Sequence, residues 1–412
     1  GFPLIPGFRF LMKKENVVFA PQYAETLNLL EKSEYLKDKK GLLRDGLGVM
    51  TLFSGGSGKS ISMNSITKNK KLLLKPFFFF INPFTLIWRL LRIFVLYLIE
   101  KSEQQKNKDA SLLPRSSSYV WYRVLHEIFF GELAYETVKK AIPTEDKVIF
   151  VNFTGYDEVS HHHGGYSKPA FFYLSIIDMY VKKLFKEAEK YNNEREIFLI
   201  SDHGQTTCIP ETAIIKSTIG EAIASLYPDK RIIQHKLDYK SSMLLKSDLY
   251  VMNSGAVCLI YNNKKEEKLN RKELEANYPD FCVKTSNFST IVDFVLVRNE
   301  KIIAVKNGIS YDLEMKNAQV LFPFMELKYQ EKAIEWLTIV INGPYAPDAL
   351  ILGKMLEKNK MVNFESQLST HGAIGGYQTQ SFLLSKTKLQ FEKELPELRD
   401  FHDYLEEQIF GN

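Results

Sequence analysis

An apolar run from Val148 to Phe153 stops at a carboxylate and three consecutive histidines, and this abrupt change limits the possible folds more than any other feature. The run is mostly β-branched or aromatic and alternates little, which predicts a strand covered on both faces. Gly155, Asp157 and His161–His163 follow it at once. A second short apolar run, Glu196 to Ser201, leads directly into Asp202, His203 and Gly204. Between the two, Phe171, Leu174, Ile177, Val181, Leu184 and Ala188 recur at helical spacing, predicting a helix from about Lys168 to Tyr191. Strand, helix and strand in this order favour parallel strands joined by a right-handed crossover. The two polar clusters then leave the same sheet edge, where ligands of open α/β sheets bind. The expected class is therefore α/β, with a mostly parallel central sheet flanked by helices.

A third polar cluster, Ser369-Thr370-His371-Gly372, lies far downstream. Carboxylate oxygens with imidazole nitrogens suit zinc or a similar divalent ion. Asp157, His161 and His371 would make one three-ligand site with an open position, and Asp202 with His203 half of a second. Two metals about 4 Å apart can clamp both the attacking and leaving oxygens of a phosphoryl transfer. The alternative for each segment alone is a polar loop with solvated histidines. His162 and His163 fit either reading: they contact substrate or hold a ligand in place, or they are solvated. Asp178 and His126 fit structural roles better than ligation.

The order Asp157-x-x-x-His161, Ser201-Asp202-His203-Gly204 and Thr370-His371-Gly372 resembles the ligand order of the alkaline phosphatase superfamily. It is most similar to the type I phosphodiesterase/nucleotide pyrophosphatase branch. The strings Gly155-Tyr156-Asp157-Glu158-Val159-Ser160-His161-His162 and Phe364-Glu365 through His371, with Gly375, Gly376 and Gln378, resemble a bacterial, membrane-associated subgroup. The resemblance implies one alkaline phosphatase-like catalytic domain over 1–412 and two divalent metal ions, zinc first among candidates. It implies hydrolysis of phosphodiester or pyrophosphate bonds and association with a bacterial cell envelope. In the family a Thr or Ser nucleophile attacks phosphorus and forms a covalent phosphoryl intermediate, which water then resolves. That nucleophile and a further metal-binding Asp precede the Asp-x-x-x-His strand by a long interval. Asp45 and the hydroxyls between Thr51 and Ser60 are too close together to serve. The expectation is that both residues lie upstream of Gly1, and that residues 1–412 alone show little turnover.

Hydrophobic content of 45% and charged content of 25% are ordinary for a globular chain. The net charge of +5 is mild and predicts no nucleic-acid binding. Its distribution is uneven: Lys59 to Arg115 holds eleven Lys and Arg against three acidic residues, a net of +8, so the remainder is −3. Within this segment, 72–99 reads as a hydrophobic, basic insert. Pro83 should divide it, leaving a helix from Phe84 to Ile99 that is too short and charged to span a bilayer comfortably. An in-plane helix on an anionic membrane surface is one reading, and a buried or oligomer-contact helix the other. Lys101 to Ser118 reads as a loop and Val120 to Ala141 as a helix.

Cys208, Cys258 and Cys282 are scattered, which argues against a disulfide framework or a thiolate zinc site, though one pair could bridge. Ser54-Gly-Gly-Ser-Gly-Lys-Ser60 suggests a P-loop, but Phe53 stands where its first glycine is required. Residues 214–310 read as an accessory β-rich region with hairpins near Asn253-Ser254-Gly255 and Asn299-Glu300. A terminal helix is expected from Pro396 to Ile409. The competing functions are a non-catalytic membrane- or lipid-binding protein on a hydrolase scaffold, a phosphotransferase, mutase or sulfatase of the same superfamily, and a P-loop enzyme.

Overall fold

The strand that ends before Asp157 is shorter and more open than its composition suggests. It covers Ile149–Val151, with Ile149 and Val151 half-buried and Phe150 37% exposed. It pairs in parallel with Leu47–Thr51, which pairs in parallel with Ile61–Ser62. The computed structural model describes residues 6–20, 24–36, 41–51, 53–62, 83–106, 113, 115–191, 195–234, 247–386, 388–389, 391, 393 and 396–411. Side chains at 24–25, 83–86, 89, 122–123 and 125–128 are not described. The first part of the expected insert, 72–82 with its phenylalanine run, and the basic loop 235–246 lie outside the described residues. So does the side chain of His126.

The chain separates into two compact units, Pro21–Asp202 with Phe382–Asn412, and Phe2–Ala20 with His203–Ser381. Among the described residues, the first unit contains the small parallel sheet and five helices that precede Asp202. These are α1 (Ala24–Glu31), α2 (Pro83–Lys106), α3 (Ser117–Ala141), α4 (Gly155–His163) and α5 (Lys168–Ala188). Pro83 opens α2, close to the expected start at Phe84, since a first-turn proline loses no helical hydrogen bond. The helix continues to Lys106, past the expected start of a loop at Lys101.

Helix α5 forms where expected but is rotated from the predicted face. Its buried residues are Pro169, Ala170, Tyr173, Ile176, Tyr180 and Leu184, while Phe171 and Leu174 are exposed. The tyrosines supply the missing bulk. Tyr180 stacks on Tyr135 and Phe153, and Tyr173 packs in the same core with Ile93, Leu96 and Val159. Ser167 caps α5 by accepting the Ala170 N–H. Asp178 is exposed on this helix rather than set into its apolar side. The terminal helix, Leu398–Phe410, is held by Arg44, which bonds both carboxylate oxygens of Glu406 and lies over the Phe410 ring.

Phe198–Ile200, expected to join the parallel sheet, takes its ladder from Leu383–Ser385 in antiparallel fashion. Among the described residues no ladder joins it to Ile149–Val151, so the shared sheet edge expected for the two polar clusters does not arise from pairing between these strands. The mixed α/β class stands, but its parallel part is small.

Among the described residues the largest sheet lies in the second unit, seven strands in the order Ile309–Asp312, Ile302–Lys306, Val292–Arg298, Ala349–Gly353, Val257–Asn262, Leu249–Ser254 and Ile232–Gln234. Every pairing is antiparallel except that between the last two. Both predicted hairpins are present. Runs such as Leu249–Ser254 and Val257–Asn262 are buried throughout, and one face packs against Ile219, Ile223, Leu274 and Phe281 of the neighbouring helices and against Val362. Asp348, fully buried, anchors one end: it accepts the Asn262 and Leu269 N–H groups and pairs with Lys13 at 3.0 Å. The second sheet orders Met355–Glu357, Lys360–Asn363, Thr206–Pro210 and Ser369–Thr370.

Candidate functional site

In the first unit, the residues after the strand at 149–151 form helix α4 rather than the expected loop. Asp157 and Glu158 occupy its first turn, where acidic groups favour helix formation. Helical spacing sets Asp157 and His161 on one face four residues apart. Asp157 Oδ1 lies 3.4 Å from His161 Nε2, so an oxygen and a nitrogen donor point to one spot. The carboxylate is more open than the imidazole, 38% against 12% exposed.

Two packing features hold this helix. A side chain on Gly155 would overlap the ring of Tyr173, so only glycine lets the first turn settle against α5. At the other end, the remaining two histidines turn inward. His162 Nε2 lies 3.0 Å from Glu158 Oε1 and 3.2 Å from the Tyr119 hydroxyl. His163 Nε2 lies 3.1 Å from Glu100 Oε2 of α2, with both side chains almost fully buried. Neither histidine is solvated. Glu100 was not a sequence candidate, because the expected helix ended at Ile99 whereas α2 continues past it.

In the second unit, sheet register brings together two histidines that are 168 positions apart. Thr206–Pro210 and Ser369–Thr370 run antiparallel, with Thr370 opposite Thr206. The chain just before Thr206 therefore lies beside the chain just after Thr370. The rings of His203 and His371 stack with centroids 3.6 Å apart and planes 10° from parallel. His203 Nδ1 is 2.9 Å from the Gly204 carbonyl, an arrangement in which Nδ1–H donates and Nε2 carries the lone pair.

Gln378 closes the His371 loop. It accepts the Ala373 N–H at 3.0 Å and donates to the Gly375 carbonyl at 2.8 Å, and its own carbonyl accepts the Gly204 N–H at 3.1 Å. Thr206 Oγ1 accepts the Gln378 N–H at 3.0 Å. Gly255 allows the approach of the hairpin turn: at φ +64° it is left-handed, and a Cβ there would meet the His371 carbonyl at 2.7 Å.

The remaining candidates sort plainly. Asp202 is exposed at the end of the first unit, next in sequence to His203. Asp45 is exposed and lies 3.5 Å from Lys147. The three cysteines are free and buried, and none stands with the histidines as a thiolate donor. Burial pushes the Cys208 and Cys258 thiols well up. The donors are thus two carboxylates and an imidazole in the first unit and two imidazoles in the second, donor types that fit zinc or a similar divalent cation. Glu211, buried just after Thr206–Pro210, accepts the Ile219 N–H, and burial raises its carboxyl pKa to about 8. It thereby ties down the first residue of the helix Ile219–Leu226, whose N-cap is Thr218.

No curated protein matches the chain, and no solved structure matches it. The family model for type I phosphodiesterase / nucleotide pyrophosphatase matches residues 50–320. That span takes in α4 and the Asp202-His203 segment and covers more than half the chain. Members of this family are hydrolases of phosphodiester and pyrophosphate bonds and are typically metal-dependent. The chain belongs to the type I phosphodiesterase / nucleotide pyrophosphatase family.

Proposed function

We propose that this chain provides the metal-binding residues of a zinc-dependent phosphodiesterase or pyrophosphatase. The observation that carries the reading is that two pairs of motif residues sit ready to ligate within their own units: Asp157 with His161, and His203 with His371. Asp157, His161 and His371 would hold one divalent ion, and Asp202 and His203 would contribute to a second. Bound there, the two ions supply positive charge to the oxygens of the transferring phosphoryl group. The chain's own residues do the positioning. Gly204 sets the His203 ring, Gln378 closes the His371 loop, and Glu100 and Tyr119 brace the last turn of α4.

The reading includes a single catalytic domain over 1–412 with 72–99 as an insert and 214–310 as its β-rich accessory part. It includes attack on phosphorus by a Thr or Ser nucleophile, supported by the order of the family's motifs. It also includes an anionic membrane surface as a second partner, at a bacterial envelope.

The test measures zinc uptake and diester hydrolysis in the full-length protein. Asp157→Asn and His203→Ala should each abolish hydrolysis of a chromogenic phosphodiester and lower zinc content while leaving the unfolding transition in place. Wild-type hydrolysis in either variant would overturn the assignment.

A further inference from the structure

Helix α2 is built inside out. Its buried side carries Ile93, Leu96 and Glu100, the last fully enclosed against His163. Its outer side carries Ile87 (66% exposed), Trp88 (65%), Leu90 (51%), Leu91 (46%), Phe94 (50%) and Leu98 (48%). At 3.6 residues per turn these six occupy an arc of about 160° centred opposite the buried side. A helix bordered by water turns its apolar arc inward and its acids outward. Here packing does the reverse, enclosing a carboxyl group and presenting a tryptophan, a phenylalanine and four aliphatic side chains. An apolar surface this continuous marks a contact site.

The charge pattern identifies what lies on it. The segment Lys59–Arg115 that contains α2 holds the chain's whole positive excess, net +8 against −3 elsewhere. Beyond Leu98, an open groove of about 530 Å³ is lined by Lys106 of α2 and Lys168 of α5, with Glu103 the one acid. A second copy of the chain docked through this face would set the same basic segment against itself. An anionic lipid surface satisfies both parts, taking the apolar arc below its headgroups and the lysines among them. Trp88 suits that boundary, with an apolar ring and a polar N–H. Among the described residues no helix is long and apolar enough to cross a membrane. The contact is therefore side-on.

We infer that α2 seats the first unit in the plane of an anionic bilayer through Ile87, Trp88, Leu90, Leu91, Phe94 and Leu98. The same helix grips α4 from behind through Glu100 and His163, so the helix bearing Asp157 and His161 packs directly on the anchor. This deepens the membrane part of the reading above and stands apart from its metal chemistry.

The experiment is co-sedimentation of the chain with phosphatidylglycerol or phosphatidylcholine vesicles, beside Leu91→Glu/Phe94→Glu. Both substituted side chains are exposed, so the variant should fold, and an unchanged urea transition checks this. The expected result is at least tenfold more binding to phosphatidylglycerol than to phosphatidylcholine, weakened by salt, and lost at least tenfold in the double variant with zinc affinity unchanged. The inference is overturned if the wild type pellets with neither vesicle or if the variant pellets equally well. It is also overturned if the wild type is a dimer that the variant dissolves without any vesicle binding. Intact docking in an Asp157→Asn chain that has lost no zinc would sink the metal reading alone.

Discussion

The two ligand pairs arise by opposite routes. Asp157 and His161 meet because a helix places residues four apart on one face, so nine residues of chain suffice to build the pair. His203 and His371 meet only because Ser369–Thr370 finds Thr206–Pro210 in one register. A slip by one residue would turn the flanking side chains to the other face. A locally made pair tolerates distant change but depends on how its helix is seated. A register-made pair depends on everything that fixes the strands.

The largest expected effect tests the seating of the local pair. Glu100→Ala leaves His163 enclosed without its hydrogen-bond partner, and leaving a buried polar group unsatisfied costs about 1–3 kcal/mol. Urea unfolding followed by fluorescence should show that loss, and the His203–His371 ring contact, followed by NMR, should persist. If the stability is unchanged, Glu100 does not hold α4.

Next comes the loop of the register-made pair. Gln378→Ala removes the hydrogen bonds that close the loop after His371. Zinc affinity, measured by competition titration, should fall by roughly 10–100-fold, the usual range for lost outer-shell support. The Asp157–His161 geometry should not respond. Retained affinity would mean that the strand pairing alone positions His371.

The smallest effect concerns the strand itself. Glu211 follows Pro210 directly, and its carboxyl pKa is raised to about 8 from the 4.5 of an unfolded chain, chiefly by burial. The folded state therefore keeps a proton that the unfolded state has lost. Its contribution to stability is full below about pH 4.5 and declines as pH rises toward 8. Glu211→Gln should flatten that decline and add roughly 1–2 kcal/mol at pH 8, about the cost of an unfavourable buried polar group. An unaltered pH profile of unfolding would remove Glu211 from the account.

The same division separates what could be read in the chain from what could not. Helices α3 and α5, both hairpins and the terminal helix follow from spacing and turn residues, because each is decided within a short window. The ligand candidates were legible as residue types placed just after apolar runs. The buried face of α5 was misplaced because its core is filled by tyrosines, whose rings pack like phenylalanine while their hydroxyls keep them off an apolar count.

By itself, the sequence determined the candidate ligand residues and the family to which the chain belongs, since both reside in short strings whose meaning does not depend on distant contacts. Tertiary structure alone decided that His203 and His371 stack, that Phe198–Ile200 pairs with Leu383–Ser385, and that α2 turns its acid inward and its tryptophan outward. Register and helix rotation are set by which surfaces bury the most together, and that sum is taken over residues hundreds of positions apart.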